Sequence, residues 1–352
     1  VTVFDRYVAR NVLFSSLVIL LVLLSLDALF TAIRELQRGD SLRAMTLIAW
    51  RIPVSAYRYL PVAVLLGGVV GLGSLAMHNE LVVARASGAS IWRIYLSVLH
   101  AGIPLAVVLM LVGEFAVPAS AVELQRAKYG NLDSAVARQV GAGLWVRDGD
   151  RFIRAGGVID ENTLRDVAVY DVVDGGFGTI RFAARAQYDG TDWMMFDVKQ
   201  IQLTARSIDR SELGTLSMES LFDPTVLSTL SVDARWLPIG ALRDNIRYLE
   251  ENGLKDSALN HAFWRKIAAP LSVLVMLLLA VPMVFGSARD ASIGQRIFLA
   301  SLAGLGYMLL NNVLVNVGQI GGTPASFNTL ATLFLFAAIA TVLLKRCDGI
   351  VG

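Results

Sequence analysis

The sequence predicts an α-helical membrane protein of six spans, with a water-soluble all-β domain inserted between the third and the fourth. Three observations carry this. Of the 352 residues, 55% are hydrophobic and only 17% charged, and the mean hydropathy is +0.59, well above an ordinary globular chain. Six apolar runs each reach the roughly 20 residues that an α-helix needs to cross about 30 Å of hydrocarbon. Between the third and fourth runs the composition changes: residues 120–262 hold 16 Lys/Arg and 21 Asp/Glu, whereas the remainder holds 15 and 8. An acidic soluble domain thus interrupts a basic membrane body.

The runs are 8–33, 59–77, 94–113, 267–288, 297–317 and 325–344. The first begins too polar and continues too far for a cleaved signal peptide, so it is a span. The last two are separated by "GQIGGTP" at 318–324, where glycines and Pro324 favour a tight turn. Domain limits follow: a membrane part at 1–119, a β-domain at 120–236, an amphipathic connecting helix at 237–262, and a second membrane part at 263–352.

Between spans two and three lies "HNELVVARASGAS", residues 78–90, too polar to cross a bilayer and expected as a helix of about three turns. On a helical wheel Glu80, Ala84 and Ser87 fall within about 60° of each other, with Gly88 beside them. That face has small side chains and one carboxylate. Val82, Ala86 and Ala89 group on the other side and are expected to rest on the bundle. From the wheel alone, a docking face and a helix lying passively at the interface stand equally.

In the insert, "TIRFAARAQYDGTDWMMFDVKQIQL" alternates. Ile180, Phe182, Ala184, Ala186 and Tyr188 share one face, and Met194, Phe196 and Val198 resume the pattern after the turn. "GLWVRDGDRFIRAGG" forms a second hairpin with Asp148-Gly149 at its tip. The expected fold is a one-sided antiparallel sheet curled into a jelly roll or an open barrel. Its inner face, with Phe182, Tyr188, Met194 and Phe196, reads either as an apolar trough for acyl chains or as a packed core. "LPIGALRDNIRYLEENG" then places Ile239, Leu242, Ile246 and Leu249 at helical spacing, from Pro238 to Gly253.

Chemistry is scarce. The sequence has no phosphate-cradling G-x-x-x-x-G-K-[ST], no H-E-x-x-H and no G-x-S-x-G. His78, His100 and His261 are scattered, without metal-ligand spacing. The lone Cys347 permits no disulfide. His100, inside span three, reads as a helix-packing donor, and Asp27 and Glu114 as carboxylates near an interface. Basic charge hardly orients the chain: eight Lys/Arg flank the spans on the terminal side and seven on the domain side. Among the latter, Arg34 and Arg38 share a helix face. Arg43, Arg51 and Arg58 fall within about 80° on a continuing wheel, which Pro53 is expected to kink.

"NELVVARASGAS", "IPL" and "GE" in span three and "FDRYV" near the start resemble the LptF/LptG family of lipopolysaccharide-export permeases. "GLWVRDG" and "WRKIAAPLSVLVMLL" favour its LptG branch, and the resemblance covers essentially the whole chain. It implies a non-catalytic subunit of an ABC transporter in the bacterial inner membrane, with cytoplasmic termini and a periplasmic jellyroll. An LptF-like permease would enclose a cavity with it, and two copies of an LptB-like ATPase would supply ATP and Mg chemistry. An LptC-like membrane-anchored bridge would receive the lipopolysaccharide. The chain itself would bind no cofactor, metal or nucleic acid.

The stretch 78–90 then becomes a coupling helix, with Glu80, Ala84, Ser87 and Gly88 facing the ATPase. Lipopolysaccharide phosphates suit the guanidinium fork, so Arg34, Arg38, Arg43 and Arg51 are expected to form a rim at the cavity mouth, with Phe182 and Phe196 meeting acyl chains. The LptG pattern places a basic residue about one turn before the end of span one, where this sequence has Thr31. Rival readings are a lipid-modifying enzyme, for which no constellation is present, and a sensor whose periplasmic β-domain binds a ligand. A lipoprotein-release permease would place its large domain after span one.

Overall fold

The computed structural model describes residues 3–37, 41–129, 144–148, 151–160, 162–173, 176–203, 208–219, 234–251, 257–285 and 293–349. The chain divides into two compact units, Val1–Ser120 with Ser257–Gly352, and Ala121–Asp256. The first begins with helices α1 (Val3–Leu36), α2 (Ser41–Met77), α3 (Glu80–Ala86) and α4 (Ile91–Leu111). A π-helical turn, Val112–Ala116, continues α4 into α5 (Val117–Tyr129). After the sheet come α6 (Ile239–Glu251), which belongs to the second unit, and then α7 (Ser257–Phe285), α8 (Ile293–Gly321) and α9 (Ala325–Gly349) of the first.

Among the described residues six helices are long and apolar enough to cross a membrane, at the positions the apolar runs predict. They extend past those runs, because a run counted to the first charge stops where hydropathy changes and not where hydrogen bonding does. The 34 residues of α1 span about 50 Å, more than the hydrocarbon thickness. Pro53, expected as a kink, lies inside an unbroken α2, as does Pro61. Neighbouring helices re-satisfy the backbone groups that prolines free within a bundle.

α2 is the hub. Of its most apolar window 72% is buried, against 11% for α1 and for α8. Two adjacent faces of "GGVVG" explain the close packing. A Cβ at Gly67 would collide with the Ser16 backbone of α1, and one at Gly71 would come within 3.1 Å of Val12 Cα. A Cβ at Gly68 would sit 2.8 Å from Ala280 Cβ of α7. Small residues let helix backbones approach where lipid supplies no hydrophobic drive.

Polar clasps complete the bundle. Asn11 Nδ2 donates to the Gly71 carbonyl over 2.9 Å, and Ser97 Oγ of α4 to Asp5 Oδ1 over 2.6 Å. Farther along α1, Asp27 meets three residues spaced by four on α2. Arg51 donates through Nε (2.8 Å) and Nη2 (3.3 Å), Ser55 Oγ at 2.6 Å and Tyr59 Oη at 3.2 Å. At the π turn, which leaves the regular i→i−4 ladder, the buried Lys266 of α7 donates to the Gly113 carbonyl (2.8 Å) and to Glu114 Oε2 (3.3 Å). Buried His261 of α7 donates from Nδ1 to the Ser257 carbonyl and accepts from Asn328 Nδ2 of α9. Asp27 and Glu114 are therefore both in ion pairs, while exposed His100 bonds its own helix at the Leu96 carbonyl.

The second unit holds β1 (Leu144–Asp148), β2 (Arg151–Asp160), β3 (Thr163–Val173), β4 (Gly176–Tyr188), β5 (Asp192–Leu203) and β6 (Ile208–Glu219). They form one antiparallel sheet in consecutive order, a meander. The β4–β5 hairpin turns where "DGTD" predicts it: Gly190 has φ 107°, and Asp189 Oδ1 accepts from the Thr191 and Asp192 amides. Those amides, Asp192 first, hold the Asp189 carboxyl below the usual carboxylate range. α6 covers the predicted residues and buries Leu242; its expected stop, Gly253, lies outside the described residues.

The inner face differs from simple alternation. The ladders from β2 to β6 all skip one transverse line, Gly156–Asp166–Ala184–Asp197–Gly214. Asp166 and Asp197 on that line are left-handed, at φ 51° and 55°, a conformation uncommon outside glycine that Asp tolerates better than most. Burial changes phase across it: Val167, Ala183 and Val198 are buried on one side, Leu164, Ala186 and Met195 on the other. The step between buried neighbours is therefore three, not two. The core comprises these with Ile153, Val169 and Trp193. Phe182, expected inside, is 40% exposed and packs edge-on against Tyr170. Phe196, partly exposed, lies under the Arg185 guanidinium at 4.8 Å. Both project from the face opposite Ala183 and Met195.

Two outcomes follow for the bundle. Gly67→Val should destabilise it by roughly 1–3 kcal/mol through overpacking, read as a lower thermal midpoint in detergent. Gly306→Ala, where an added Cβ meets open space, should not lower it. Asp27→Ala leaves Arg51 without its carboxylate and should cost about 1.5–3 kcal/mol. The double variant Asp27→Ala/Arg51→Ala should lose less than the two single variants together, because the contact counted twice is one.

Candidate functional site

α2 ends at Met77, and two residues reverse the chain. Asn79 is left-handed, φ 59°, which Asn accepts more readily than most residues. α3 then runs for seven residues, two turns in place of the three that the sequence suggested. Ser87 Oγ donates back to the Ala84 carbonyl, and Gly88, at φ 92°, ends the helix as a residue without Cβ can. Ser90 then caps α4 by accepting from the Arg93 amide, at 3.2 Å.

The face of α3 that meets the bundle is not the expected one. Leu81 is the anchor, 1% exposed, whereas Val82 is 53% exposed, and Ala86 is exposed as well. With only two turns, one large side chain suffices to seat the helix, and the wheel gave it no weight. The residues of the small face do share one surface, but Ala89, expected on the opposite side, lines it too. Glu80, Ala84, Ser87 and Gly88 all line one groove of about 640 Å³, together with Val83. Its other walls come from Phe4 and Tyr7 of α1 and Arg93 of α4. Tyr7 Oη donates to Glu80 Oε1 over 3.2 Å. The groove joins small side chains, a carboxylate, a phenol and a guanidinium, a surface suited to receiving a side chain of a partner through charge-assisted hydrogen bonds.

The expected arginine rim is only partly in view. Arg34 is exposed near the end of α1 and bonds the Phe30 carbonyl through Nε at 3.1 Å. Arg38 and the side chain of Arg43 lie outside the described residues. Arg51 is engaged with Asp27, so its fork is occupied within the bundle. Thr31, in place of a basic residue, is buried and donates to the Asp27 carbonyl. Phe182 and Phe196 belong to the second unit, on the face described above.

Sequence reasoning missed Tyr7, Asp27 as a hub and Lys266 as a buried residue. Arg51, Ser55 and Tyr59 did carry a signal, since polar residues four apart in an apolar helix mark one face. Lys266, beside Arg265, reads only as a basic pair ending a span. Among the described residues no group of three His, Cys, Asp or Glu is placed to hold a metal.

Similarity to known proteins runs along nearly the whole chain. The lipopolysaccharide export system permease protein LptG of Haemophilus influenzae is 29% identical over 351 residues, covering 97% of this chain and 98% of its own. The protein of the same name from Escherichia coli K12 is 28% identical over 357 residues, 98% of each chain. The family described as "Lipopolysaccharide export system permease LptF/LptG" matches residues 6–346. Six spans, the sheet inserted after the third and this match together make the chain a multi-pass membrane protein that belongs to the LptF/LptG family of lipopolysaccharide export permeases.

Proposed function

We propose that this chain is the LptG-like half of an inner-membrane ABC transporter that extracts lipopolysaccharide and passes it to a periplasmic bridge. The observation that carries the reading is the groove beside α3, where Glu80 stands among Ala84, Ser87 and Gly88. A two-turn helix between spans, exposed and faced with small residues, is suited to seating in a partner. The partner is a separate cytoplasmic ATPase, which binds the ATP and Mg that this sequence has no motif to hold. Two copies serve two permeases, one for each coupling helix.

Orientation follows from that docking. Placing α3 in the cytoplasm puts both termini there, and an odd number of spans before the insert puts the sheet in the periplasm. The second, LptF-like permease belongs along α1 and α8, whose apolar windows are barely buried within the chain. An LptC-like anchored protein takes lipopolysaccharide onward from the periplasmic side. Arg34, with Arg38 and Arg43, meets its phosphates at the cavity mouth, while Arg51 holds α2 to α1. Phe182 and Phe196 are accessible on the open face of the sheet, where acyl chains can reach them.

Two experiments test the reading. Glu80→Ala removes one charge-assisted contact and should weaken ATPase association by about 1.5–3 kcal/mol, tenfold or more; wild-type affinity for the co-purified ATPase would refute the docking site and leave a sensor as the better reading. Arg34→Glu/Arg38→Glu should abolish lipopolysaccharide transfer while ATPase association persists. Normal transfer by that variant would reduce these arginines to headgroup anchors.

A further inference from the structure

We infer that Tyr7 is a positioning residue of the docking groove, holding the Glu80 carboxylate for the ATPase and linking α3 to α1. The inference rests on the docking role of Glu80 proposed above. Glu80 opens α3, and the N-cap before it, Asn79, makes no side-chain capping bond. The partner of the Glu80 carboxylate comes from another span: Tyr7 Oη, 73 residues away in sequence, at 3.2 Å from Oε1. With Oε1 accepting from the phenol, Oε2 remains to accept from an incoming cation. A carboxylate already oriented loses less side-chain freedom on binding than one that rotates freely.

The same hydrogen bond has a second effect. The start of α1 is fastened to α4 through Asp5 and Ser97 and to α2 through Asn11 and the Gly71 carbonyl. Its tie to α3 runs through the Tyr7 phenol. Phe4 and Tyr7 wall the groove directly. A partner seated there touches α1 as well as α3.

The test is a double-mutant cycle on the full chain, assembled with its partner permease and reconstituted in nanodiscs, with ATPase affinity as the readout. Tyr7→Phe keeps the ring and removes the hydroxyl. It should weaken ATPase binding about three- to tenfold in the wild-type background. In the Glu80→Ala background it should change nothing further, since the hydroxyl has lost its acceptor. A purely packing role for Tyr7 would leave Tyr7→Phe at wild-type affinity, and that result overturns the inference while the Glu80 site stands. Equal losses in both backgrounds overturn it too, because Tyr7 would then act without Glu80. Unchanged affinity of Glu80→Ala alone overturns the docking reading and this inference together.

Discussion

The close approach of α1 and α7 to the glycine faces of α2 determines where every other group of the bundle can reach. Gly67 and Gly71 let the α1 backbone lie against α2, and Gly68 does the same for α7. With α1 at that distance, Asn11 reaches the Gly71 carbonyl and Asp27 reaches three donors on α2. The phenol of Tyr7, carried on the same α1, is placed over the start of α3. Bulkier residues at the glycines would set the helices apart and stretch all of these contacts beyond hydrogen-bonding distance.

Within a bilayer the polar groups of a span have no water to turn to, and this bundle uses them in pairs between helices. Asp27 joins α1 to α2, Lys266 joins α7 to the turn after α4, and Asn328 joins α9 to α7. The last two pairs link helices far apart in sequence. Such contacts add little net energy when both partners are present, but leaving one alone in an apolar setting is costly. They therefore select one arrangement of the helices over its neighbours more than they add to overall stability. The β-domain follows another logic. Its apolar core carries the packing, and its ion pairs, such as Arg151 and Arg181 with Asp171, lie partly exposed.

How much of this was legible in the sequence depended on the range of the interaction. Spans are local in composition, so hydropathy finds all six, and the turn at "DGTD" is local in chemistry, so Asp189 and Gly190 announce it. Ser87 and Gly88 lie past the end of α3, but the small face at Glu80 and Ala84 follows from helical geometry alone. Its anchor, Leu81, does not, because a wheel ranks directions without knowing which one faces a neighbour. The sheet was misread at one line. Asp166 and Asp197 look like ordinary outward residues; Asp tolerates the left-handed backbone that shifts the inward phase by one, but that tolerance alone does not mark these two positions. Phe182 and Phe196 were placed inside for that reason. Tyr7 and Glu80 lie 73 residues apart, and only the packing of α1 brings them together.

The π turn at Val112–Ala116 amounts to one additional residue wound into an otherwise α-helical path. Each residue of an α-helix advances the azimuth by about 100°. Because the wider i→i−5 turn absorbs its extra residue, deleting one residue there would close it to a regular α turn and leave the helix beyond it close to its present phase. Val117 and Ser120, both buried, would keep nearly their present bearings, but the Gly113 carbonyl would return to the regular ladder and away from Lys266. The extra residue thus opens a backbone acceptor within the helix, and a lysine from a later span fills it.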